Sequence, residues 1–136
     1  VSKNYIDYGF LQTNVSAVGT MFKLADGEDF VRRTAYRPFP AGTLTAAFRY
    51  RDELAGGERC LRIAFSGGRW AVADADAAAD VTVTCRQGDL ASLLMGSCQL
   101  EGMLRLGAAS ADSGEAAQQL SRLLHYGQKP WLNSDY

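Results

Sequence analysis

The chain of 136 residues is 47% hydrophobic and 21% charged, enough for one domain with a real core and too little for two. Fourteen basic against fifteen acidic residues give a net charge of −1, which leaves no electrostatic footprint for nucleic acid or an anionic membrane. No apolar run approaches the length of a spanning helix.

Cys60, Cys85 and Cys98 are odd in number and share no C-x-x-C spacing, and His125 is the only histidine. A zinc site is therefore disfavoured, and the reading is of reduced thiols in a cytoplasmic protein with no metal. Cys60 and Cys85 fall in strand-like stretches, where Cys commonly acts as a small buried hydrophobe. The first residue is Val1 and no cleavage signal precedes it, which points to a piece of a longer chain.

In chain order, "NYIDYGFLQTN" and "GTMFKL" read as extended, and "LADGEDFVRRTAY" as a short helix that "RPFP" ends. The middle third has a period of two. Leu44, Ala46, Phe48 and Tyr50 point one way, and Thr45, Ala47, Arg49 and Arg51 the other. Leu61, Ile63 and Phe65 repeat the pattern, and Gly67-Gly68 supplies a two-residue hairpin turn. Trp70 and Val72 return inward, and after the acidic loop "ADADAAAD" Val81 and Val83 close an antiparallel meander. The expected strands cover 43–52, 58–66, 69–74 and 80–85.

The last third has a period of 3.6. One helix presents Leu90, Leu93 and Leu94, with Asp89 as its expected N-cap. A second runs from Ser97 as cap through Leu100, Met103 and Leu104 to a stop at Gly107. A third carries a box-like Asp112 and Glu115, then Ala116, Leu120, Leu123 and Leu124. A one-sided sheet needs a cover, so the fold class is α+β, an antiparallel meander with helices on one face.

Little catalytic chemistry is legible. His125 falls near the end of the last helix, where a cation suits the dipole, and reads as structural or solvent-facing. No nucleophile elbow, P-loop or dinucleotide fingerprint is present. Asp74, Asp76 and Asp80 lack the spacing of a calcium loop and read as solvated. Two features remain. Phe48, Phe65, Trp70, Leu94, Met95 and Leu104 form either ordinary core or the lining of an apolar ligand cavity. The terminal "KPWLNSDY", with Trp131, Leu132 and Tyr136, is too apolar for a free tail and reads as docked.

The stretch "DVTVTCRQGDLASLLMGSCQLEGMLRLG", a Leu-rich helix and an aromatic terminus resemble the sterol-carrier-protein-like domain of Eis-type (enhanced intracellular survival) GNAT acetyltransferases, known from bacteria. "MFKLADGEDFVRR" is similar to the segment that opens that domain. The resemblance implies a connecting segment over residues 1–20, from an upstream acetyltransferase domain that binds acetyl-CoA, and a carrier-like domain over 21–136 with no cofactor of its own. It also implies that the C-terminus enters the upstream active site, where the terminal carboxylate, on Tyr136 if that is the true end, acts as base, with Trp131 and Asp135 in the cleft. The chain by itself would not be catalytic. The alternative is a lipid- or sterol-binding carrier module using the six apolar residues; assembly into homo-oligomers is a further expectation.

Overall fold

The computed structural model describes residues 26–125. The expectations for residues 1–25, for Trp131, Asp135 and Tyr136, and for the rest of the terminal segment lie outside the described residues.

The chain opens with α1 (Gly27–Arg33), capped by the Asp26 carboxylate, which accepts from the Asp29 amide at 3.1 Å. Glu28 and Asp29 in its first turn and Arg32 and Arg33 in its last suit the helix dipole. Three strands follow, β1 (Leu44–Arg51), β2 (Glu58–Ser66) and β3 (Arg69–Val72), each antiparallel to the one before. Gly67 and Gly68 take φ of 60° and 75°, the left-handed values that the β2–β3 turn requires. Leu61, Ile63 and Phe65 are buried on one face while Arg62 is only half-buried, so the register read from alternation holds.

The fourth strand departs from the expected meander. β4 (Val81–Cys85) does not pair with β3; it lies parallel to β1, with Ala46 opposite Val81 and Phe48 opposite Val83. The sheet order is β3-β2-β1-β4-β5, where β5 (Ala109–Ala111) is a short strand that alternation did not reveal. The physical reason is that a period of two fixes which face a side chain takes, not which strand is its neighbour. Passing β2 and β1 spans roughly 14 Å at about 4.8 Å per strand. Residues 73–80 reach that far easily at about 3.3 Å each. Arg62 Nε donates to the Ala77 carbonyl at 3.1 Å, tying this connection to the outer face, where Ala47, the partner of Arg62 in β1, is buried as well.

Three helices complete the cover: α2 (Gln87–Met95), α3 (Leu100–Leu106) and α4 (Gly114–Leu124). Leu90, Leu93, Leu94, Leu100, Leu120 and Leu123 join the inward residues of β1, β2 and β4 in one core, so the α+β class with helices on one face is the observed one. The expected caps are corrected. Asp89 lies inside the first turn of α2, bonded to Arg86 Nε at 3.1 Å, and the cap residue is Arg86. Ser97 donates its hydroxyl to the Ser92 carbonyl, closing α2, while Gln99 begins α3. Ser113 caps α4 through the Ala116 amide, because the Asp112 carboxylate is taken by the Thr82 amide at 2.8 Å. Gly107 stops α3 as expected, with φ of 80°.

Candidate functional site

The interior under β2 and β3 is an aromatic cluster. Phe65 and Trp70 are cross-strand partners with ring centroids 6.1 Å apart. Phe39 meets Phe65 edge-on at 5.4 Å and Trp70 at 4.8 Å, and Phe30 of α1 contacts Trp70 at 6.1 Å. Each such pair contributes about 0.5–1.5 kcal/mol beyond the area it buries. Trp70 Nε1 donates to the Thr34 carbonyl at 3.0 Å, which satisfies its one donor inside the core. The Arg37 guanidinium lies over Phe39 and Trp70, 4.9 and 5.1 Å from their centroids, and donates to the Leu94 carbonyl.

Of the six residues read as core or cavity lining, Phe48, Phe65, Trp70 and Leu94 are thus in the buried core, almost without exposed surface. Met95 is half-buried at the end of α2. Leu104 is half-buried on α3 and faces an open groove of about 720 Å³ between α3, β5 and α4.

The groove follows from the periodicity of α4. Ala117, Leu120, Leu123 and Leu124 turn to the core, leaving Gly114, Gln118, Ser121 and Arg122 along the other side, where they line the groove with His125. Leu104, Ala111 and Ala117 supply its apolar part. Glu101 and Arg105 stand on the α3 side, paired at 3.4 Å but exposed, so the pair is worth less than about 1 kcal/mol and yields easily to a ligand. The i, i+3, i+4, i+7 spacing of Gly114, Ala117, Gln118 and Ser121 was readable in the sequence. Its pairing with α3 was not.

The remaining candidates separate. His125 is exposed at the C-terminal end of α4, on the groove wall. Asp74 and Asp76 are exposed, whereas the Asp80 carboxylate accepts from the Thr45 amide at 2.8 Å. Among the described residues no three His, Cys, Asp or Glu side chains are grouped to hold a metal ion. Among the same residues no helix is long and apolar enough to cross a membrane. Cys60, expected to be buried, is exposed because it sits on the outer sheet face, and its Sγ accepts from Arg62 Nη1 at 3.1 Å. Cys98 is exposed, and Cys85 is buried; burial, aided by the charge of Asp89, pushes the Cys85 thiol up to about 11.

The fold is similar to parts of two longer solved structures and to most of a smaller one. Eis1 from Mycobacterium abscessus matches at 18% identity with a TM-score of 0.56, over 79% of this chain and 26% of its own. A GCN5-related N-acetyltransferase from Kribbella flavida matches at 15% identity and a TM-score of 0.56, over 74% of this chain and 26% of its own. Palmitated SCP2L2 from Aedes aegypti matches at 15% identity and a TM-score of 0.50, over 73% of this chain and 87% of its own. This chain thus spans about a quarter of the length of Eis1 and of the Kribbella flavida N-acetyltransferase, and at these identities the likeness shows the fold. No curated protein sequence matches the chain. A family model described as the sterol carrier protein domain matches residues 28–133, and the chain belongs to that family.

Proposed function

We propose that this chain is the C-terminal accessory domain of an acetyl-CoA-dependent N-acetyltransferase working in a reducing, cytoplasmic setting, and that it delivers a terminal carboxylate to the active site of an upstream domain. The observation that carries the reading is the likeness over about three-quarters of this chain to roughly one quarter of a GCN5-related N-acetyltransferase and of Eis1. The filled aromatic interior supports it over lipid carriage, since Phe65 and Trp70, two of the residues that would line a carrier cavity, pack on each other and Trp70 also on Phe39.

Acetyl-CoA is not assigned to the described residues. The N-terminus of α4 borders the groove, but the Ser113 hydroxyl already takes the Ala116 amide and Glu115 stands in the first turn, which disfavours a phosphate there. The thioester belongs to the upstream domain in this reading. The contribution of this chain is a proton acceptor. An amine substrate with a pKa of about 10.4 must lose its proton before it attacks, and a free terminal carboxylate of about 3.3–3.7 is a weak base. Burial in the upstream cleft, near the charge of Asp135, would raise the carboxylate toward the working pH. The carboxylate is carried by Tyr136 or by a residue just beyond it.

The test is amidation of the terminus of the full-length protein by semisynthesis, which removes the charge and keeps every side chain. Turnover of an amine substrate should fall about 10²–10⁴-fold. Turnover at the wild-type rate would eliminate the carboxylate as base.

A further inference from the structure

We propose that the groove between α3 and α4 is the seat of Trp131 and Leu132 of this same chain, so that it sets where the terminal segment leaves the domain. His125 lines the groove and is also the residue from which the segment 126–136 departs. Trp131 follows six residues later and reaches at most about 20 Å from there. The attachment makes docking intramolecular, with an effective concentration in the millimolar range for a short tether.

The chemistry matches on both sides. Leu104, Ala111 and Ala117 offer an apolar strip beside polar and charged groups, and the segment offers an apolar pair bracketed by Lys129 on one side and Asp135 on the other. Glu101 and Arg122 are the counter-charges that these two would meet at the rim. Lys129 precedes Pro130, and a residue before proline is disfavoured from helical backbone, which would suit a strand-like passage along a groove. The volume of about 720 Å³ has room for one indole, one isobutyl group and the backbone that carries them. The family match, moreover, runs to residue 133 and so includes Trp131 and Leu132.

The seat does not depend on the carboxylate reading, and the two fail separately. Trp70 is 2% exposed, so acrylamide quenching of tryptophan fluorescence in the 136-residue chain reports on Trp131. Wild-type quenching should be low. It should rise to the value of a solvent-exposed indole in Leu104→Glu and also in Ser121→Tyr, which fills the groove, with far-UV circular dichroism unchanged. Trp131→Phe should abolish the quenchable emission in both backgrounds. Full exposure in the wild type would overturn the seat, and so would low quenching that neither groove variant raises. Quenching that grows on tenfold dilution would place Trp131 against a second copy and overturn it as well. Amidating the terminus should leave quenching unchanged, so a null result for turnover does not touch the seat.

Discussion

Asp80 and Thr45 clasp each other at the point where β4 joins β1: the Thr45 amide donates to the Asp80 carboxylate and the Asp80 amide to the Thr45 carbonyl, both at 2.8 Å. The carboxylate replaces the strand carbonyl that would otherwise meet Thr45, one residue before the parallel pairing of Ala46 with Val81 begins. Asp112 repeats the device one strand over, accepting from the Thr82 amide at 2.8 Å and donating to its carbonyl at 3.2 Å where β5 ends. Both are side chains completing a sheet whose ladders run out.

Asp80→Ala should therefore destabilise the chain by about 1 kcal/mol, the usual net worth of one hydrogen bond. Asp80→Asn should cost less, because the amide oxygen can still accept. Alanine at Asp74 or Asp76, both exposed, should change nothing measurable. Urea denaturation followed by circular dichroism decides it. An Asp80→Ala midpoint equal to wild type would remove the clasp as a stabilising feature.

Lipid carriage can be tested with native mass spectrometry of the chain in the presence of palmitate. The contacts among Phe39, Phe65 and Trp70 leave the sheet side of the core occupied by protein. No stoichiometric adduct should form. A clear one-to-one complex would place an acyl chain in the groove or the core and reverse the preference for an accessory role.

The cysteines should divide by exposure. Cys60 and Cys98 should react with a small alkylating reagent at pH 8, while buried Cys85 should react only as fast as the fold opens. Its thiol is raised from 9.0 to about 11, so the folded state holds the proton more tightly than the unfolded state. The stability this gives is complete below about pH 9 and is lost as pH rises from there through about 11. Cys85→Ala should flatten that alkaline decline. An unchanged pH profile in the variant would assign the decline to another group.

Much of the fold was legible because it is written in local periods. Leu61, Ile63 and Phe65 had to share a face once alternation was seen, and Gly67-Gly68 had to turn, since the side chain direction and φ are local matters. The leucines of α2 and α4 declared their buried faces in the same way. The partner of β4, the existence of β5 and the true caps were decided by tertiary structure. The cap of α4 turns on one hydrogen-bonding group: Asp112 would cap a helix in isolation, but its carboxylate accepts from the Thr82 amide instead. The groove is likewise a relation between α3, β5 and α4, and Leu104 could not be told from core until a helix stood beside it with Ala117 and Ser121 turned its way.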